Sequence, residues 1–329
     1  MELTLLPSRR TVRCAPGDNL LDVLERAEVP VSHSCRAGRC GTCRCRLVQG
    51  EVMDGGEEQR RPLDATLPYV LACQTVLTGD CTIEVPEPDE IVVHPARLLK
   101  ASVVAIDDLS HEVKALRLKP NKPLSFSPGQ HAELQFTPAH VRPYSMAGLP
   151  GDDELVFHVR VVPGGRVTQY IAQQLRVGDS VRLSGPLGNG YLRRRHTGPM
   201  LCMAAGTGLA PVLSIVRGAL EGGMANPVHL YVGARARRDL YALDVLEALA
   251  ACHPQLRLHL LVAEPGELPR HGRAGLVTTA VEHDLRDLAG WRAYLCGSPP
   301  MVEAASFLVR KLGIAPDHVH ADAFYPSGT

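Results

Sequence analysis

The chain has no excess charge of either sign. Its 329 residues carry 35 Lys and Arg against 35 Asp and Glu, which argues against a nucleic-acid or anionic-membrane partner. A long apolar run is also missing. The nearest stretch, residues 201–220, is interrupted by Gly206, Gly208, Pro211 and Arg217, and so fits a buried strand–loop–helix better than a membrane span. The opening MELTLLPSRR lacks the charged start and apolar centre of a signal peptide. The 10 cysteines therefore do not read as a disulfide framework, and a reducing cytoplasm is the expected compartment. The 14 histidines show no His-x3-His or His-x-x-Glu-His spacing and mark no metal centre of their own.

What is present suggests two or three domains in a globular chain, with 45% apolar and 21% charged residues. The charge is unevenly spread. Residues 1–90 hold 10 basic and 15 acidic side chains, and the remainder 25 and 20. A mildly acidic first domain helps orient it against a basic neighbour or partner.

Cysteine spacing is the sharpest signal. Cys35, Cys40 and Cys43 follow C-x4-C-x2-C, and Cys73 stands alone far downstream. This is the spacing of a plant-type [2Fe–2S] ferredoxin, in which thiolates are the soft ligands that the cluster needs. A four-cysteine zinc site usually pairs two C-x2-C hooks, and Cys73 has no such partner. Gly38 and Gly41 fit the cluster reading, because a loop without side chains brings backbone N–H groups to the sulfides. Strands are expected at 2–6, 11–14, 45–52, 69–76 and 81–85, with a helix N-capped by Asp18 that buries Leu20, Leu21, Val23, Leu24 and Ala27. A small sheet gripping one helix is the β-grasp arrangement. Cys45 and Cys81 read as small core residues.

Residues 86–96 carry three prolines among acids and read as a semi-rigid linker. The expected borders are 1–90, 91–195 and 196–329. In the middle section, strands at 97–106, 112–119, 130–136, 154–162 and 180–184 are closely punctuated by Gly and Pro, as in an antiparallel barrel. Two places in it stand out. Arg142-Pro-Tyr144-Ser145 would be only a strand end by itself. Gly164-Gly165-Arg-Val-Thr168 would be only a hairpin turn, except that it opens a helix at 167–175, where free N–H groups and the helix dipole favour a pyrophosphate.

The last section alternates. Strands at 200–204, 228–232, 256–263 and 292–295 are interleaved with helices at 211–220, 239–251, 275–285 and 299–312, so a parallel sheet covered on both faces is expected, with its ligand at the carboxyl ends of the strands. Gly206-Thr207-Gly208-Leu-Ala-Pro211 lies there but departs from G-x-G-x-x-G by its final Pro. Cys296-Gly297 ends another strand.

Taken together, these motifs resemble the ferredoxin–NAD(P)⁺ reductase family. In order (ferredoxin, flavin barrel, nucleotide domain) the chain resembles end to end the reductases of bacterial aromatic-ring-hydroxylating oxygenases. The resemblance implies FAD, with Arg142 on its pyrophosphate, Tyr144 stacked on the isoalloxazine, Ser145 near N5, and Gly164, Gly165 and Thr168 holding phosphate. It implies NADH or NADPH on Gly206, Thr207, Gly208 and Pro211, with Cys296 and Gly297 beside the nicotinamide. The tail Asp322-Ala-Phe324-Tyr325 matches an acid and an aromatic, the latter covering the flavin. Here the acid is Asp, which reaches less far than the family's Glu, and either ring fits the cover. Beyond the second strand of the nucleotide domain, Arg235, Arg237 and Arg238 suit a 2′-phosphate, with Asp239 close by. The implied partner is a Rieske-type ferredoxin of a ring-hydroxylating dioxygenase system. The rival readings are direct reduction of the oxygenase, an inert iron–sulfur redox sensor and a zinc-stabilised scaffold.

Overall fold

The computed structural model describes residues 1–29, 31, 36, 38, 43–55, 61–64 (backbone), 69–85, 92, 94–264 and 266–325. Cys35, Cys40, Gly41 and most of the expected 86–96 linker lie outside the described residues.

The first unit contains β1 (Glu2–Leu6), β2 (Arg10–Arg13), α1 (Leu20–Arg26), β3 (Arg44–Gln49), β4 (Glu51–Asp54), β5 (Arg61–Asp64), β6 (Val70–Leu71), β7 (Thr75–Leu77) and β8 (Cys81–Glu84). Its main sheet runs β2-β1-β8-β3-β6, and β5-β4-β7 form a second one. Leu20, Leu21, Val23 and Leu24 of α1 pack on Leu3, Leu5, Leu47 and Ile83 of the sheet, with Cys45 and Cys81 buried among them. This is the expected β-grasp. Three local expectations need correction. The N-cap is Asn19, whose Oδ1 accepts the N–H of Leu21 at 3.0 Å and of Asp22 at 3.3 Å. Asp18 is instead engaged by Ala15 N–H at 3.1 Å and Arg26 at 2.8 Å. The strand expected at 45–52 breaks at Gly50, whose φ of +92° turns the chain into the second sheet. The strand expected at 69–76 is split by a 3₁₀ turn over 72–74, which carries Cys73.

The second unit contains β9 (Arg97–Asp108), β10 (Val113–Pro120), β11 (His131–Thr137), β12 (His140–Ser145), β13 (Leu155–Arg160), α2 (Arg166–Gln173) and β14 (Ser180–Leu187). The order is β12-β11-β14-β9-β10-β13, every pair antiparallel. A bridge between Met146 and Phe157 draws the two ends together, and Leu116, Leu134, Phe157, Val159 and Ile171 fill the interior. β12 is an end strand in the sheet order, a place where Pro143 can sit without an N–H.

The third unit alternates β15 (Met200–Ala205), α3 (Leu209–Leu220), β16 (Val228–Ala234), α4 (Leu243–Cys252), β17 (Leu256–Val262), β18 (Arg273–Ala274), α5 (Val277–Asp284), β19 (Arg292–Gly297), α6 (Pro299–Lys311) and β20 (Val319–Ala323). Its parallel sheet runs β18-β17-β16-β15-β19-β20, so strand order reverses between β15 and β19. Apolar clusters cover both faces, as a parallel sheet requires. The helix expected from 239 begins at Leu243, because residues 237–239 form a 3₁₀ turn in which Asp239 accepts the Ala236 N–H at 2.8 Å. β20 was not anticipated. It is an edge strand, and its His320 and Asp322 break the apolar pattern.

The units touch at particular atoms. Asn189 Nδ2, in the loop after β14, donates to Val31 O at 3.2 Å, and the Val92 N–H donates to the Tyr191 hydroxyl at 3.1 Å. Among the described residues, no helix is long and apolar enough to cross a membrane.

Asn19 also donates from Nδ2 to Cys73 O at 3.0 Å, so one side chain caps α1 and ties it to the Cys73 turn. Asn19→Ala is expected to destabilise the first unit by about 1–2 kcal/mol. Asn19→Asp keeps the cap and loses only the amide donor, and should cost less than half as much. Guanidinium unfolding followed by visible absorbance of the protein checks the order of the two variants.

Candidate functional site

At the cysteine end, Cys43 is buried at the start of β3 and Cys73 sits in the 3₁₀ turn. Their Sγ atoms lie 3.3 Å apart with no disulfide between them. Gly38 has a φ of +75°, and a Cβ there would lie 2.8 Å from Gln74 Cγ, so only glycine lets the loop settle on the turn that carries Cys73. Two converging thiols under a glycine loop fit a thiolate-ligated cluster. Cys35 and Cys40 lie outside the described residues.

In the barrel, Arg142, Tyr144 and Ser145 lie on β12. Tyr144 packs on the barrel core, and its buried hydroxyl has no hydrogen-bond partner. Burial pushes its pKa up, against the opposing pull of Arg142. Among the described residues, Arg142 bonds the neighbouring Val141 O, at 2.9 Å. Gly164 has a φ of +76° with open space where a Cβ would point. Gly165 caps α2 without a side-chain acceptor for the helix N–H groups. Thr168 braces the turn, its Oγ1 accepting Val162 N–H at 3.2 Å and donating to Gly165 O at 3.3 Å. A polar ring edge in need of a partner and an open helix N-terminus fit the two ends of a flavin nucleotide.

The third group lies at the strand-order reversal. Gly206 has a φ of +55° and open space beside it. Thr207 is half-buried, Gly208 is buried, and Pro211 lies in the first turn of α3. A Cβ on Gly208 would come within 2.1 Å of Cys296 O, so the loop lies directly on the end of β19. Cys296 is buried and pairs in register with Asp322 of β20. Burial first, and Asp322 second, hold its thiol well above the usual range. Phe324 N–H donates to Gly297 O at 2.8 Å. Tyr325 packs into the nucleotide-domain core, and Phe324 joins no core cluster.

Two of the three expected 2′-phosphate residues, Arg237 and Arg238, line a cavity of roughly 500 Å³ at the ends of β16 and β17 together with Glu264 and Glu267; Arg235 is not among its lining residues. Arg235 Nε meets Glu264 Oε1 at 2.5 Å, and Arg237 meets Glu267 Oε1 at 2.8 Å. Asp239 is turned to its own backbone and to His111, 3.5 Å away.

Two side chains escaped the sequence reading. His131 opens β11 opposite Ser145. A Cβ on Gly188 would lie 2.7 Å from its Nδ1. Burial lowers its pKa and Asp322 opposes the shift. His131 thus pairs with Ser145 in the barrel and Asp322 with Cys296 in the sheet. The second is Tyr241, whose hydroxyl lies 3.3 Å from Gly206 O and 3.1 Å from His158 Nδ1 of β13. Burial raises the Tyr241 pKa and drives that of His158 down to about 4. Neither belongs to a local motif. The Gly129-Gln130-His131 turn into a strand was the only trace of the first.

Three family profiles match the chain: a "2Fe-2S iron-sulfur cluster binding domain" at residues 3–78, an "Oxidoreductase FAD-binding domain" at 100–191 and an "Oxidoreductase NAD-binding domain" at 202–306. The chain is 60% identical over 328 residues to the ferredoxin–NAD(P)⁺ reductase component of the naphthalene 1,2-dioxygenase/salicylate 5-hydroxylase systems of Ralstonia sp., covering 100% of both chains. It is 56% identical, again over 100% of both, to the naphthalene 1,2-dioxygenase system reductase component of Pseudomonas putida. Among solved structures it is similar to the Amycolatopsis cytochrome P450 reductase GcoB, with a TM-score of 0.72, 33% identity and 99% of each chain covered.

The His158–Tyr241 bond gives a pH dependence with a defined sign. The unfolded histidine titrates near 6.5 and the folded one near 4, so between these values the unfolded chain binds the extra proton and stability falls as pH falls. The loss should reach on the order of 3 kcal/mol by pH 4. His259, lowered to about 4 by burial, contributes over the same window. Melting temperatures from pH 7.5 to 4.5 should therefore drop less in His158→Gln than in the parent.

Proposed function

This chain belongs to the family of ferredoxin–NAD(P)⁺ reductase components, and from that premise we propose that it reduces a separate Rieske-type ferredoxin of a naphthalene 1,2-dioxygenase-type system. Its [2Fe–2S], FAD-binding and NAD-binding domains make it an NAD(P)H-dependent oxidoreductase. We draw their borders at 90/91 and 195/196, and assign the protein to the cytoplasm on its cysteine usage.

Bound FAD accepts the two electrons of the reduced nicotinamide together and yields them singly to a one-electron cluster, which is why its site must lie between the other two. In this reading Arg142 and the Gly164–Gly165 turn hold the pyrophosphate. Tyr144 supports the ring, and Ser145 faces its reactive edge. Thr168 keeps the Gly165 turn in shape. Gly206, Thr207, Gly208 and Pro211 receive the nucleotide phosphates, while Cys296 and Gly297 flank the nicotinamide. Asp322 and His131 share a buried corner where a proton can be held. Cys35, Cys40, Cys43 and Cys73 ligate the cluster. The observation that carries the reading is that the Gly206–Gly208 loop lies on the Cys296 carbonyl and is joined through Tyr241 to His158 of the barrel. It supports one reaction chamber built by barrel and sheet.

Cys73→Ser is the direct test. NADH oxidation by ferricyanide should survive, because the flavin residues lie in another unit, and reduction of a purified Rieske ferredoxin should be lost. Ferredoxin reduction at the parent rate would sink the proposed route.

The tail supplies a second test. With Tyr325 packed in the core, Phe324 is the ring available to cover the flavin. Nicotinamide must displace that ring, and aromatic stacking adds roughly 0.5–1.5 kcal/mol beyond area burial. Phe324→Ala is therefore expected to bind NAD⁺ about two- to tenfold more tightly with an unchanged melting temperature. A lowered melting temperature with unchanged NAD⁺ affinity would make Phe324 a packing residue instead.

A further inference from the structure

The cavity at the ends of β16 and β17 contains its own negative charges. Arg235 and Arg237 are held by Glu264 and Glu267 from the facing loop. The loops are fixed on one another, since Ala263 N–H donates to Ala234 O at 3.0 Å and Glu264 N–H to Arg235 O at 2.8 Å. Asp239, the acid nearest in sequence, is spent on the Ala236 N–H and faces His111 of the barrel. Of the two arginines that line the cavity, Arg237 is paired with Glu267, while Arg238 is 80% exposed and, among the described residues, comes no nearer an acid than 4.0 Å from Asp239. Arg235, beside the cavity, is paired with the lining Glu264.

We propose that Glu264 and Glu267 are specificity-determining residues, built-in competitors for the 2′-phosphate of NADPH. The proposal rests on reading this cavity as the adenosine-ribose end of the nucleotide site. A ribose with a 2′-hydroxyl leaves both ion pairs closed and needs neither carboxylate. A 2′-phosphate that draws on Arg235 or Arg237 takes it from its partner, and even one held by Arg238 sits near the two acids. Exposed ion pairs are weak, and a phosphate takes arginine bidentately. The exchange is therefore feasible, and NADPH is used at a fixed disadvantage to NADH. The arginines alone would predict a preference for NADPH; the opposing loop reverses it.

The test uses the flavin- and cluster-loaded protein titrated calorimetrically with 5′-AMP and with 2′,5′-ADP, which differ only by the 2′-phosphate. Glu264→Gln and Glu267→Gln should each tighten 2′,5′-ADP roughly two- to fivefold, the range that loss of an exposed pair implies, and leave 5′-AMP unchanged. Glu51→Gln, which removes the same charge from β4 of the first unit, should change neither. In steady state the two variants should lower KM for NADPH without altering kcat or the KM for NADH. If 5′-AMP binds but 2′,5′-ADP affinity is unmoved in the double variant, or if both ligands tighten equally, the competitor role is wrong and the cavity assignment stands. If Arg235→Ala/Arg237→Ala leaves 2′,5′-ADP binding untouched, the cavity assignment itself fails and the proposal falls with it.

Discussion

One hydroxyl beside the Gly206 loop is among the ties that hold two halves of this molecule in working relation. Tyr241 bonds the carbonyl of Gly206, in the nucleotide loop, and the imidazole of His158, on a barrel strand. The two units also share packing, since Val113 of β10 lies in the core of the parallel sheet, and Ser214 of α3 donates to Gly148 O at 2.7 Å while Arg217 meets Asp152 at 3.1 Å. The Tyr241 contact adds a buried tie beside the Gly206 loop, where burial keeps the His158 imidazole uncharged. Close beside it, Gly208 lies on the carbonyl of Cys296 with no room for a methyl group. Contact between backbones, more than any long side chain, sets the width of the chamber.

Around that chamber the chemistry is divided by unit. The first offers soft sulfur, the second an open helix N-terminus and a buried tyrosine, the third glycine loops at the end of a parallel sheet. Each is an ordinary solution for its ligand class. Function resides in their order: a two-electron donor, a converter and a one-electron carrier must be neighbours in that sequence. The tail returns β20 to the sheet edge, so that Asp322 reaches the barrel and Phe324 lies beyond Gly297. The end of the chain thus completes a site that its middle begins.

Much of this was legible in the amino-acid sequence, for reasons that differ by element. Strand alternation and βα periodicity placed the main sheet of each unit, because each has a one-sided or two-sided apolar demand that local residues record. Cysteine spacing and the Gly-Thr-Gly loop were legible because their chemistry is local in the chain. Asn19 was passed over for Asp18 because two adjacent side chains can both cap, and only the position of Arg26 decides which is free to do so. The split at Gly50 depends on Asp80 and Cys81 arriving from a distant strand. β20 hid because His320 and Asp322 interrupt its apolar run. His131 and Tyr241 take part in long-range pairs, Tyr241 and His158 being 83 residues apart, and no spacing rule reports them. Of the arginines after β16, Arg235 and Arg237 are paired with glutamates of the facing loop, a pairing that no local pattern records.

The loop after β14 has a further consequence. Gly188 leaves space for His131, and the next residue, Asn189, reaches across to Val31 of the first unit. In the proposed site, one short turn therefore serves as the wall of the flavin corner and as the contact with the first unit. The three units look interchangeable, like cassettes, yet a graft of another carrier onto this barrel would have to match a surface that the flavin corner has already shaped. Where a chain uses the same turn for two neighbours, its parts can diverge only in step.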